Sequence, residues 1–240
     1  MMIHKHNNMN RKIWKNENVL HTNVRDVMFY VVWGFIDFVR NNSKELHIKN
    51  QDIIDIIFYG DLVNYFYDKL SDVNICVVLD LKHLKQKDAF HMLNAFYDKW
   101  IQTHICKIYG HKIKMRFTDK HNPPFMDRYT YGSEYSIIRN EWIFKPLQIT
   151  NTQLCKIRDD SVKTYKQIMR DFHIVKKNNF VDAIPLYNNI QKSFEMSLVS
   201  DYTQPITPMY FAYKKIQQRK ILQKLEHQII KNQSKKFVLK

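Results

Sequence analysis

Residues 54–79 read IDIIFYGDLVNYFYDKLSDVNICVVL, and this stretch decides the fold. Two nearly continuous apolar, β-branched runs, Ile53 to Phe58 and Val73 to Leu79, suit strands that are covered on both faces. Tyr59-Gly60 stops the first run. The dozen or so residues between the runs leave room for a turn and a short helix. The chain has only 4 glycines, so a glycine placed directly after a strand is informative: it permits a backbone turn that other residues resist.

Upstream, Val24, Val27, Met28, Val31, Phe35, Phe38 and Val39 follow helical spacing. Thr22 or Asn23 is the expected cap, and Asn41, Asn42 and Ser43 end the helix near Arg40. Residues 1–20 are polar and Asn-rich and predict an irregular arm, with His4 and His6 in a flexible tail. Downstream, Gln86 to His104 predicts a helix built on Phe90, Leu93, Phe96, Tyr97, Trp100 and Ile101. After Gly110, Ile113, Met115 and Phe117 alternate with Lys112, Lys114 and Arg116, the pattern of a half-buried strand with one basic face. Residues 119–134, with Pro123-Pro124, read as a loop. Tyr135 to Ile138 and Trp142 to Phe144 flank Arg139-Asn140-Glu141 as a hairpin.

From Thr152 the pattern becomes helical, near 153–175, 181–199 and 208–231, punctuated by Pro185, Pro205 and Pro208. The last stretch is amphipathic and basic, as the solvated face of a packed helix is. The expected class is α+β: a mixed sheet flanked by helices over residues 21–150, then a helical region over 151–240.

The formal net charge of +15 raises the weight of an acidic partner, nucleic acid or protein. Cys76, Cys106 and Cys155 are sparse and odd in number, which argues against a disulfide framework or a zinc site and fits a reducing compartment. The longest apolar run, Val27 to Val39, is interrupted by Asp37 and fits a buried helix rather than a membrane span. No signal peptide is visible, and no nucleophile elbow or Walker loop is present.

The strand, Gly60, the short connection and Ser71-Asp72 at the start of the next strand resemble the nucleotidyltransferase superfamily, and more closely the nucleotidyltransferases of tailed phages. Gly60, Leu62, Asn64, Tyr65, Tyr67, Ser71 and Asp72 fall in register with that pattern. Ile13-Trp14, Val24-Arg25, Phe35-Ile36, His104, Lys107-Ile108, Gly110, Gly132, Tyr135-Ser136-Ile137, Asn140 and Trp142 extend the likeness over most of the chain. In the family, Asp-x-Asp on one strand and a third carboxylate on its neighbour hold two Mg²⁺ ions that activate a hydroxyl and neutralise a triphosphate. The glycine turn lets backbone amides approach the phosphates.

The resemblance also exposes departures. The serine expected after Gly60 is Asp61, the second carboxylate is Asn74, and the third falls at Lys114, so Asp72 alone survives as a metal ligand. A trio of one anion, one neutral amide and one cation does not hold two divalent ions. Asp61 would repel triphosphate oxygens. A salt bridge or hydrogen bonds among Asp61, Asn74 and Lys114 are the expected structural use of these side chains.

The resemblance therefore implies a phage protein with a degenerate catalytic centre, needing no cofactor and retained for binding or structure in the host cytoplasm or the virion. The alternative is an active enzyme using Mg²⁺ with altered ligands. Lys112, Lys114 and Arg116 are the expected contacts for a phosphate backbone or an acidic phage protein.

Overall fold

The computed structural model describes residues 5–82, 86–121, 133–146, 148–199 and 207–238. The chain divides into two compact units, His4–Gln148 and the region from Ile149 onward. His4, Pro123-Pro124, Gly132 and Pro205 lie outside the described residues, as does most of the expected loop at 119–134.

The first unit holds a two-stranded hairpin, β1 (Trp14–Asn16) and β2 (Val19–Leu20), and helix α1 (Thr22–Asn42). Strands β3 (Ile53–Tyr59) and β4 (Val73–Leu79), helix α2 (Gln86–Thr103) and strands β5 (Lys107–Ile108) and β6 (His111–Asp119) follow. Strands β7 (Glu134–Ser136) and β8 (Glu141–Phe144) complete it. The sheet order is β5-β6-β4-β3-β7-β8. Strand β4 is central: antiparallel to β3 and parallel to β6. A parallel neighbour requires a crossover, and α2 lies in the connection between β4 and β6.

Strand periodicity then sorts the side chains. One face carries Ile56, Phe58, Ile75, Val77, Met115 and Phe117, and Phe117 stacks on Phe35 of α1 with ring centroids 5.0 Å apart. Tyr97 and Trp100 of α2 meet Phe35 edge-on, each at 5.8 Å. The other face carries Ile57, Tyr59, Cys76 and Val78 as a small apolar cluster, with Ile143 against it.

The cap of the first helix is corrected here, and the β3–β4 connection is refined. Helix α1 is capped by His21 with no side-chain bond, and Thr22 lies inside the helix. The short helix expected between β3 and β4 is a single-turn 3-10 helix, Asp61–Val63, rather than an α-helix. Asn64 explains this: its side chain accepts from the Phe66 amide (2.7 Å) and donates to the Gly60 carbonyl (3.3 Å), offering the backbone partners that a helix would otherwise supply.

The expected irregular arm is docked. Trp14 is 2% exposed, stacks on Trp142 at 4.9 Å, meets Tyr135 edge-on at 5.0 Å and donates Nε1–H to the Leu62 carbonyl at 2.8 Å. His6 stacks on Tyr67 at 3.9 Å. The polar average of residues 1–20 concealed Met9, Ile13, Trp14 and Leu20, all buried.

The second unit is helical among its described residues: α3 (Asn151–Lys177), α4 (Ala183–Val199), α5 (Pro208–Gln218) and α6 (Ile221–Val238). Its core joins Ile168, Phe172, Ile190, Ile216, Ile221 and Leu225 from all four helices. Helix α3 opens with a reciprocal Thr150–Gln153 capping box. The single helix expected over 208–231 is two, because the chain breaks at Arg219-Lys220, where Lys220 takes a left-handed φ of 56°. That residue redirects the chain so that α6 packs on α4. No helix of the described residues is long and apolar enough to cross a membrane.

Trp14→Ala should cost about 3–5 kcal/mol, the usual loss on truncating a buried tryptophan. Urea unfolding checks this, and a change under 1 kcal/mol on that scale would show the N-terminal hairpin to be energetically idle.

Candidate functional site

The pairings of β4 bring the sequence-identified residues together. Asn74 is the Cα partner of Tyr59 on β3 and of Lys114 on β6, so Tyr59, Asn74 and Lys114 form one row across the sheet. Gly60 follows Tyr59 directly, and Asp72 immediately precedes β4.

Gly60 adopts φ 91° and ψ −155°, a region that is nearly exclusive to glycine. The reason is visible in its neighbour. A Cβ at Gly60 would lie 2.6 Å from Asn74 Nδ2, so the amide of Asn74 rests against the glycine backbone. The turn that the resemblance assigns to phosphate approach is here filled by a side chain of the same protein.

Lys114 Nζ lies 2.6 Å from Asp72 Oδ2. The Lys114 side chain is 62% exposed and that of Asp72 24%, so solvent screens the pair and its net contribution to stability is only about 0–1 kcal/mol. Its effect on a metal ion is far larger. A unit charge about 4 Å from a divalent cation repels it by roughly 2 kcal/mol in bulk water and about 8 kcal/mol at an effective dielectric of 20. Asp72 has only an amide and an ammonium beside it at the two positions where carboxylates are needed. Among the described residues no group of three or more His, Cys, Asp or Glu is disposed to hold a metal ion. The donor set does not fit the Mg²⁺ pair that the resemblance implies.

Asp61 is 5% exposed, and its Oδ2 accepts from the Ser71 hydroxyl at 3.1 Å. Ser71 is the hub of this loop: its Oγ accepts from the Asp68 amide at 2.9 Å and lies 3.1 Å from Asp68 Oδ1, while its carbonyl meets His111 Nδ1 at 2.6 Å. Gly60, Asp61 and Ser71 thus close the loop on itself.

The basic face also differs from its sequence pattern. Lys112 is exposed, Lys114 is engaged by Asp72, and the Arg116 guanidinium is half-buried 4.8 Å above the Tyr59 ring. Burial pushes the Tyr59 hydroxyl well above its ordinary range despite Arg116. Burial likewise pushes the Cys76 thiol up to about 12, with Arg116 opposing and Glu134 and Asp55 assisting.

Sequence inspection missed two features on this face. Asp55 accepts from Ser136 Oγ at 2.7 Å and from Arg139 at 3.0 Å, tying β3 to the β7–β8 hairpin. Glu134 is 1% exposed and pairs in register with Tyr59. The only available signal was a lone acidic residue inside an apolar run, Asp55, and alternation on a three-residue strand. Comparisons with protein-family models, with curated proteins and with solved structures find no match for this chain.

Gly60→Ala should destabilise the protein by about 1–3 kcal/mol from backbone strain alone. Adding Asn74→Ala should recover only the steric part. Thermal unfolding of the single and double variants separates the two, and an unaltered midpoint for Gly60→Ala would contradict the conformation of this turn. The thiols provide a second check. At pH 8 Cys76 stays protonated, since its folded value lies far above that pH, so a thiol reagent should label exposed Cys155 rapidly and Cys76 only upon unfolding.

Proposed function

We propose that this chain is a phage-encoded protein with a nucleotidyltransferase-like core whose catalytic centre has become a structural contact, and that it serves a binding or structural role. The carrying observation is the Lys114–Asp72 ion pair at 2.6 Å, with Asn74 of β4 paired in register with Lys114 and set against Gly60. Two-metal phosphoryl transfer needs carboxylates that offset the ions' charge and so position the triphosphate. Here the surviving carboxylate already has a cation, and the phosphate approach is filled by an amide. The mixed α+β sheet, with its parallel β4–β6 pair and glycine turn, supports the likeness but belongs to many functions.

The unmodified protein should transfer no labelled nucleotide to any acceptor with Mg²⁺ or Mn²⁺ across several nucleotides. The double variant Asn74→Asp with Lys114→Glu should acquire Mg²⁺ binding measurable by calorimetry, more so with Asp61→Ser. Robust transfer by the natural chain that disappears on Asp72→Ala would overturn the proposal in favour of an active enzyme with altered metal ligands. Mass spectrometry of purified particles separates a virion component from a protein acting in the host cytoplasm.

A further inference from the structure

The positive charge of this chain is concentrated outside the site just described. Residues 151–240 hold 17 Lys and Arg against 7 Asp and Glu, a net +10, whereas residues 1–150 hold 21 against 16, a net +5. Within the helical unit the cations have an order that helix α3 makes visible. Its buried positions are Leu154, Ile157, Ser161, Tyr165, Ile168, Phe172 and Val175. Lys156, Lys163, Lys166, Arg170 and Lys177 are all exposed. At about 100° per residue these five fall within an arc of roughly 80°, centred opposite the buried stripe. They extend over 21 residues, about 32 Å at the usual rise per residue.

Lys163 bonds Asp160 at 2.9 Å. Among the described residues, Lys156, Lys166, Arg170 and Lys177 form no ion pair with a carboxylate. Asp159 is the one acidic residue within the arc. A solvated helix ordinarily alternates charge signs, and this face does so only once in its length.

We infer that the outer face of α3 is a docking surface for the phosphate backbone of duplex nucleic acid, recognised without regard to sequence. Three observations choose this occupant. The length of the cation row is close to one turn of a duplex, about 34 Å. Tyr165 and Phe172 are buried in the unit's core and the exposed ring of His173 falls outside the arc, so the arc itself offers no platform on which unpaired bases stack. A protein partner would need a desolvated apolar centre, and the arc offers only Ile174, 57% exposed at its edge. Spaced cations suffice for phosphates, because released counterions supply the driving force. The net +10 of the unit opposes a second copy of the same chain on this face.

This inference deepens the binding role proposed above and rests on it. The test measures anisotropy of a labelled 20-base-pair duplex with the full chain over a series of salt concentrations. The natural chain should bind, and a duplex of scrambled sequence should bind equally. The fourfold variant Lys156→Gln, Lys166→Gln, Arg170→Gln, Lys177→Gln should lower the magnitude of the log–log salt slope by about 3–4, close to 0.9 per lost phosphate contact. Its circular dichroism should be unchanged. Should that variant not fold, the variant Lys156→Arg, Lys166→Arg, Lys177→Arg keeps the charge and must retain both affinity and slope. Absence of binding by the natural chain at low salt, or an unaltered slope in the fourfold variant, overturns the inference. Poly-glutamate bound as tightly as the duplex also overturns it, in favour of an acidic protein. Failure here without nucleotide transfer removes only the nucleic acid, whereas transfer abolished by Asp72→Ala removes the binding role itself.

Discussion

Strand β4 is paired on both edges, antiparallel to β3 and parallel to β6, and nearly every side chain it carries is buried on one face or the other. That double pairing fixes the first unit. A one-residue slip against either neighbour would exchange the two faces and carry Ile75 and Val77, both fully buried, out of their own layer and onto the face of Tyr59 and Arg116. The same register sets Asn74 opposite both Tyr59 and Lys114 and places Asp72 at the strand's entrance. The candidate site is therefore not an independent construction. It is the end of a strand paired on both edges, so the backbone positions of Asp72, Asn74 and Lys114 are set by the register of the core.

This explains which parts of the structure were legible in the sequence. The runs at Ile53 and Val73 are long, apolar and β-branched, so the strands they form could be read directly, as could α1 and α2 from their helical spacing. The neighbouring of Asp72 and Lys114 followed from family resemblance, because pairing between distant segments leaves no trace in local periodicity. The N-terminal hairpin was concealed for the opposite reason. Its fold depends on a few large side chains, Trp14 above all, whose partners Tyr135 and Trp142 lie far along the chain. The break at Lys220 has no glycine or proline to announce it, and a lysine in left-handed conformation is visible only from the backbone.

The alternating lysines of β6 show how a correct pattern can carry a misleading chemistry. Strand alternation did place Lys112, Lys114 and Arg116 on one face, with Ile113, Met115 and Phe117 opposite. Periodicity fixes the direction of a side chain but not what it meets there. Lys114 meets a carboxylate from the strand beside it, and Arg116 meets an aromatic ring two strands away. A basic strand face in a mixed sheet is thus a set of ion-pair and cation–π partners as much as an open surface. On α3 the same residue types stand opposite a continuous buried stripe, and nothing in the helix itself neutralises most of them.

The two groups of cations consequently act over different distances. At Asp72 one ammonium in direct contact alters what a single carboxylate does, and adds almost nothing to stability because both groups are partly solvated. Its consequence is chemical: a carboxylate that a divalent ion would need is balanced in place. Along α3 no single lysine matters much, since each is screened within about 8 Å at physiological ionic strength. What matters is repetition: the five cations follow one another at about 4.5–10.5 Å along the axis, intervals on the order of that length. Net charge alone does not distinguish these cases. The burial stripe of α3 and the strand register of β6 do, because each states where a charge points before asking what it binds.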